Sequence, residues 1–447
     1  MTDTVPLSAI RPCLEGVLPA AMATCAPDGT PNVAFISQVY FVDERHVALS
    51  YQFFNKTRQN ILANPYASVL LIHPLTAGNF RLHLRYLHTQ TEGPLFEGMK
   101  AQLAGIASHT GMANVFVLRG SDVYEVRSVE AVEGDPLPLP PSRGNALTTV
   151  RRCSERLSRC TALDELLNAA LAALTDFLGV RHAMVLLLDH AAQRLYTVAS
   201  CGYATSGVGS EIDMGDGVIG VAARERTPVR ILHMTNAYLY SRAVRSSMRA
   251  TAPAMALDTT IPYPGLAEPH SQLAVPIMSV DRLLGVLFVE SPNDMQFSFE
   301  DEDALVAVAG HLGAAMDLMQ ASTESVEANA AMPPDMPQAG LALQVRRFAA
   351  NDSIFINDTY LIKGVAGAIF WKLVTDFSQL GRTEFSNREL RLDATLGLPD
   401  VADNLEARLV LLQRRLVEHG PAIRIEKTGR GRFRLAVQYP LELLEAG

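Results

Sequence analysis

Three groups of residues in this 447-residue sequence have the types and spacing to do chemistry. The first is basic and C-terminal: Arg408, Arg414 and Arg415 on a stretch of helical periodicity, then Lys427, Arg430, Arg432 and Arg434 around Gly429 and Gly431. Cationic side chains beside flexible glycines suit close approach to phosphates, which points to a polyanion such as DNA. The alternative is plain solvated charge. The second group, Asn55-Lys56-Thr57-Arg58, stands where an extended stretch runs into a helix. Positive side chains added to the free N–H groups of a helix N-terminus favour a phosphate there, with solvated first-turn charges as the bland reading. The third is a long segment carrying Met234, Tyr238 and Tyr240, followed by Tyr263. Soft and aromatic side chains suit an apolar effector, and equally a lid packed on itself. No Ser-His-Asp, Cys-His or metal-ligand spacing is evident, so no catalytic residue and no metal are assigned, and an enzymatic role is not favoured. The five cysteines are odd in number and lack CxxC spacing, which speaks for reduced thiols rather than a disulfide framework.

These groups fall in different parts of the chain. Residues 133 to 148 carry four prolines among polar residues, and residues 321 to 341 mix Ala with Pro and lack aromatics; both read as linkers. They divide the sequence into domains at 12–132, 149–320 and 343–440, in keeping with typical domain size. Hydrophobic residues make up 48% and charged residues 19%, a globular rather than a disordered composition. No window approaches the apolar length of a spanning helix and the N-terminus lacks a signal-peptide pattern, so a cytoplasmic, non-membrane protein is expected. The net charge of −9 argues against nucleic-acid affinity of the chain as a whole, whereas residues 343–440 carry a positive balance.

The first domain reads as strands over VAFISQVYFV, HVALSYQF, ASVLLIH and FRLHLRYLH, interrupted by helices over NKTRQNILANP and LFEGMKAQLAGIASHTG. In FRLHLRYL, Phe80, Leu82, Leu84 and Tyr86 alternate with Arg81, His83 and Arg85, giving one core face and one wet face. This order, with Asn55 to Asn60 leading into Ile61-Leu62-Ala63-Asn64-Pro65, resembles the pyridoxamine 5'-phosphate oxidase-like flavin-binding split barrel. The resemblance implies FMN as cofactor, its phosphate at Lys56, Thr57 and Arg58, and its ring on Ser50 and Tyr51 with Gln52 nearby. The fuller arginine set of the true oxidases is not evident. Some split-barrel relatives bind haem, a lesser alternative here, for which His73, His83, His88 and His109 are the available ligands.

The second domain opens with an apolar stripe from Leu157 through Leu163, Leu166, Leu167, Leu171 and Leu174 to Phe177, read as one long amphipathic helix. Strands follow over HAMVLLLD, RLYTVAS, PVRIL, QLAVPIMS and LLGVLFVES. A last helix starts at Ser298, with Asp301 three residues on as in a capping box. GDGVIGVAARERTPVRI, SQLAVPIMSVDRLLGVLFVES and FSFEDEDALVAVAGHLGAAMD make this segment similar to a GAF domain. The resemblance implies a small-molecule effector held between the sheet and the segment bearing Met234, Tyr238 and Tyr240.

The third domain reads as ALQVRRF and SIFINDTYLI as strands, then a helix, a short helix, a third helix over DNLEARLVLLQRRLVEHG and a hairpin. The closing helix and hairpin make it resemble the OmpR/PhoB-type winged helix. The resemblance implies that the third helix enters the DNA major groove, with contacts from Arg408, Arg414, Lys427, Arg430 and Arg432. On that helix Leu405, Leu409, Leu412 and Leu416 face the core, and Ala407, Val410, Leu411 and Arg414 lie opposite. That second face is apolar for groove reading, so a protein partner docking on it is the other reading. The whole is expected to be a multi-domain α+β homodimer of split barrel, GAF sandwich and winged helix, a sensor that regulates transcription. A flavin-dependent oxidoreductase with regulatory domains is the enzyme-class alternative.

Overall fold

The computed structural model describes residues 5–14, 18–52, 55–109, 117–138, 145–232, 261–323, 342–393, 396, 405–429 and 431–446. In the N-terminal part, β1 (Ala20–Cys25), β2 (Pro31–Ile36), β3 (Val39–Asp43), β4 (His46–Tyr51), β5 (Tyr66–Ile72), β6 (Asn79–Gln90) and β7 (Gly120–Ala131) form an antiparallel sheet in the order β2-β1-β5-β6-β7-β4-β3. The run VAFISQVYFV is therefore two strands: the chain breaks at Ser37-Gln38, and β2 and β3 end on opposite edges of the sheet. Along β6, Leu82 and Leu84 are buried while Arg81 and Arg85 are exposed, the alternation the sequence predicts. Helix α1 (Lys56–Ala63) follows β4, capped by Asn55, whose side chain accepts from the Arg58 N–H. Helix α2 (Pro94–His109) bridges β6 and β7.

The middle part begins with α3 (Ala146–Leu157) and α4 (Leu163–Leu178), two helices where the apolar stripe reads as one. The break falls at Ser158–Ala162. There the Ser158 hydroxyl turns back to the Glu155 carbonyl, and the Thr161 N–H is held by Glu165 at 2.9 Å, a local bonding pattern that competes with helix continuation. Cys160 sits in that turn. Strands β8 (His182–Asp189), β9 (Arg194–Cys201), β10 (Glu211–Asp213), β11 (Val229–Ile231), β12 (Ser271–Ser279) and β13 (Arg282–Ser291) pair in the order β10-β9-β8-β13-β12-β11, with α5 (Gly217–Glu225) leading into β11. Helix α6 (Phe299–Thr323) starts as the capping pattern predicts: Asp301 accepts from the Ser298 N–H, and Ser298 accepts from the Asp301 N–H. At Gly313 this helix lies so close to β12 that an added Cβ would stand 2.2 Å from the Met278 carbonyl oxygen. Gly313→Ala is expected to push α6 off the sheet and cost about 1–3 kcal/mol, read as a lowered thermal midpoint of this domain.

The C-terminal unit holds β14 (Leu343–Phe348), β15 (Ser353–Ile356), β16 (Thr359–Ile362), α7 (Gly364–Leu380), β17 (Glu384–Ser386), α8 (Asn387–Leu392), α9 (Leu405–His419), β18 (Ile423–Gly429), β19 (Arg432–Val437) and β20 (Leu441–Ala446). SIFINDTYLI is a hairpin rather than one strand, because Asn357 and Asp358 both take positive φ, 47° and 64°, as a tight hairpin turn requires. Strand β20 closes the unit by pairing parallel to β14. One hydrophobic core runs through the helical layer of the middle part into this unit, joining Leu166, Val198 and Val208 to Val410, Leu411 and Leu412. The opposite face of the middle sheet packs around α5 and receives Ala101 of α2. Among the described residues no helix is long and apolar enough to cross a membrane.

Candidate functional site

The C-terminal arginines come together, but against protein. Helix α9 is amphipathic on two sides. Leu405, Leu412 and Leu416 pack into its own unit, and the opposite face, with Ala407, Val410 and Leu411, is equally buried. Leu411 reaches Gly209, where φ is +89° and an added Cβ would lie 2.6 Å from Ile261 Cδ1 and 3.8 Å from Leu411 Cδ1. Arg408 is 5% exposed, its Nη2 is 2.8 Å from Asp189 Oδ2 at the end of β8, and its guanidinium stands 4.4 Å from the Tyr196 ring centroid. Burial pushes the Asp189 carboxyl up, but Arg408 and the backbone N–H groups of Ala192 and Ala191 outweigh it and hold it below its ordinary value. Arg414 donates to the Val198 carbonyl at 2.7 Å and to Asn168 Oδ1 at 2.8 Å; burial lowers its pKa. Lys427, on the hairpin, pairs with Asp164 in the first turn of α4, and the Glu418 carboxylate accepts from Ser206.

Of the five residues expected at DNA, then, Arg408, Arg414 and Lys427 are committed to the middle domain in this conformation. Arg432 is half-buried on β19, and Arg430 lies outside the described residues. The apolar character of the outer α9 face is thereby explained: it is the inner surface of a contact within the chain. Asp189, Asp164 and Asn168 are distant in sequence from these basic residues, and no local pattern in the sequence pairs them.

The second cluster lies at the corner between β4 and α1. Arg58 Nη1 sits 2.5 Å from both carboxylate oxygens of Asp122 on β7, Nη2 donates to Thr89 Oγ1 at 2.8 Å, and the Thr89 hydroxyl donates to Asp122 at 2.6 Å. The guanidinium lies over the Tyr51 ring at 4.5 Å, and the Tyr86 hydroxyl is 2.7 Å from Thr89. Burial acts to lower the Arg58 pKa, but Asp122 more than compensates and raises it. Thr57 Oγ1 accepts from Asn32 Nδ2 at 2.9 Å, and Lys56 is exposed. Ser50 and Gln52 are buried and line a cavity of about 90 Å³, and Ser50 Oγ and Gln52 Oε1 have no hydrogen-bond partner among the described residues.

The structure brings Ser50, Tyr51, Thr57 and Arg58 to the lining of one cavity and leaves Lys56 on the surface. It adds Asp122, which lies far along the chain and which the pairing of Ser50 with Ser121 on β7 delivers. His73 is a turn cap, its Nδ1 accepting from the N–H groups of Leu75 and Thr76. The effector-pocket residues Met234, Tyr238 and Tyr240 lie outside the described residues.

Residues 160–317 match the family described as GAF domain, and residues 7–127 match the one described as Pyridoxamine 5'-phosphate oxidase. The chain is accordingly a multi-domain α+β protein that carries a sensor-like N-terminal domain of the second kind and a GAF domain. Among solved structures, the GAF domain of an Acinetobacter phosphoenolpyruvate-protein phosphotransferase is 22% identical over 40% of this chain and 99% of its own, with a TM-score of 0.31. The free methionine-R-sulfoxide reductase of Neisseria meningitidis, solved with its substrate, is 18% identical over 41% of this chain and 98% of its own, TM-score 0.31. An FMN-binding protein of Syntrophomonas wolfei is 15% identical over 29% of this chain and 86% of its own, TM-score 0.25. Likenesses at this level carry no functional argument. No curated protein matches the chain.

Proposed function

We propose that this protein is a small-molecule-responsive regulator in which the barrel and the GAF domain sense and residues 343–440 form a winged-helix output module that binds DNA. The reading rests on one observation: the α9 face that a winged helix would set into the major groove, Ala407, Arg408, Val410, Leu411 and Arg414, is seated on the GAF domain. The conformation described is then the silent one. Effector binding at the GAF domain would favour an undocked state only by binding it more tightly than the docked one. Arg408, Arg414 and Lys427 would then exchange Asp189, the Val198 carbonyl and Asp164 for phosphates. A cytoplasmic homodimer fits this role. On β2, the exposed Phe35 and Val33 lie beside the small Ala21 and Ala23 of β1, an apolar strip on which a second barrel could pack.

Asp189→Lys sets like charges against each other at the core of the docked face and tests this directly. Two results are expected together in the full chain. Amide exchange over Leu405–Leu416 speeds up, and retention on immobilised duplex DNA appears at low salt and falls steeply as salt rises. If exchange speeds up and no duplex is retained at any ionic strength, α9 is a fixed packing element and the DNA-binding role is lost.

A further inference from the structure

A proline-rich linker such as residues 133–148 would by itself let the barrel swing beside the GAF domain, because relative motion is the default where domains meet loosely. Helix α2 removes that freedom. At 100° per residue Phe96, Met99 and Leu103 fall on one side of it, and Glu97, Gly98 and Ala101 on the other. The first side packs on the barrel, in one apolar cluster with Ala48 of β4 and Leu118. The second side faces the GAF domain: Ala101 is wholly buried in the cluster that holds Val221 and Ala222 of α5 and Val229 and Ile231 of β11. At Gly98 an added Cβ would stand 3.7 Å from Thr227 Oγ1, in van der Waals contact with the residue just beyond α5.

Charge and ring stacking hold the same joint. Lys100 Nζ of α2 lies 3.3 Å from Glu225 Oε2, a buried carboxylate at the end of α5 whose other oxygen accepts from Arg224 at 2.9 Å. Away from α2, Arg11 of the short helix Leu7–Leu14 stands between two rings, 4.9 Å from the centroid of Phe41 on β3 and 4.2 Å from that of Phe299 at the start of α6. Its guanidinium is also 3.8 Å from Asp303. Contacts at two separate places remove the rotation that either alone would leave. Because α2 has an apolar partner on each side, a barrel that unfolded would take the helix with it and open the apolar surface of α5 and β11 to water.

We propose that the barrel is a fixed cover on the GAF domain, and that α2 joins the two into one cooperative sensor, in which a change of stability in the barrel is felt at α5. An effector that steadies the barrel then steadies α5 without touching it. This goes beyond the regulatory role above and holds whether or not the C-terminal unit binds DNA.

The test uses the full chain and native-state amide exchange, read separately over Tyr66–Ile72 in the barrel and Gly217–Glu225 in α5. Leu82→Ala hollows the barrel core in a cluster with Val69 and Leu71, apart from the cluster that α2 joins. It is expected to speed exchange over Tyr66–Ile72 by about thirtyfold or more, and over Gly217–Glu225 by at least about tenfold although nothing there has changed. Ala101→Glu puts a carboxylate into the apolar contact with α5 and leaves Phe96, Met99 and Leu103 in place on the barrel. It is expected to speed exchange in α5 by itself and to abolish the response of α5 to Leu82→Ala. Exchange in α5 within about twofold of wild type in the Leu82→Ala protein overturns the proposal, even where that barrel fails to fold, because the reporter lies in the other domain. So does a double variant in which the two effects on α5 simply multiply, since independent sites behave that way.

Discussion

Arg408→Ala is expected to cost about 3–5 kcal/mol of docking free energy between α9 and the GAF domain, because it leaves the Asp189 carboxylate in the interface without its counter-charge. Lys427→Ala removes an ion pair of the same sign pattern, but Lys427 and Asp164 are 40% and 37% exposed, so its loss should cost no more than about 1 kcal/mol. The contrast between the two variants tells the buried pair from the rim pair. It is read by amide exchange over Leu405–Leu416 or by proteolysis of the undocked unit, since a chain of several domains need not unfold in one step. The same geometry sets a pH dependence. Asp189 titrates lower in the docked state than in the unfolded chain, so its contribution is complete above the unfolded carboxyl value and is lost as pH falls through the lower, folded one. Acid should therefore loosen the contact, and Asp189→Asn should blunt that response.

Most of the sheet strands were legible from local pattern. HAMVLLLD is β8 to the residue, and the Ser298-Asp301 cap starts α6 as expected. Where local pattern misled, a specific device was responsible. Nothing in the composition of SIFINDTYLI announces a turn except Asn357-Asp358, whose positive φ values fold the strand back on itself. The stripe from Leu157 to Phe177 is continuous in burial but not in backbone, because the interrupting residues bond to their own turn. Strand β1, with its alanines, has Thr24 as its one β-branched residue, and it holds as a strand between β2 and β5. The site shows the same division. Ser50, Thr57 and Arg58 could be found from the strand-to-helix corner, but Asp122, the counter-ion of Arg58 there, is brought in by pairing of β4 with β7. Likewise the two-sided apolar character of α9 was visible in Val410 and Leu411, while the identity of what covers them was not.

The barrel corner also predicts an energetic asymmetry that separates a neutralised pair from a binding arginine. Arg58→Ala should destabilise the barrel by about 3–5 kcal/mol, because Asp122, with a side chain only 9% exposed, is left without the cation that offsets its burial. Burial already pushes the Asp122 carboxyl up, and Thr89 and Arg58 only partly draw it back. Removing Arg58 should raise it further, so the variant should recover stability as pH is lowered and the carboxyl is neutralised. Replacing both partners by apolar residues of similar volume, Arg58→Met with Asp122→Leu, should cost far less than either single change, since no charge is left behind in the barrel. Urea unfolding of the wild type, Arg58→Met, Asp122→Leu and the double variant, followed by a probe confined to the barrel, gives the coupling energy directly. If Arg58 instead served an anionic ligand, the single Arg58 variant would be near neutral in the ligand-free chain, because a charge held ready for a partner from outside contributes little until that partner arrives, and a cycle with coupling near zero would therefore reassign it from internal counter-ion to receptor.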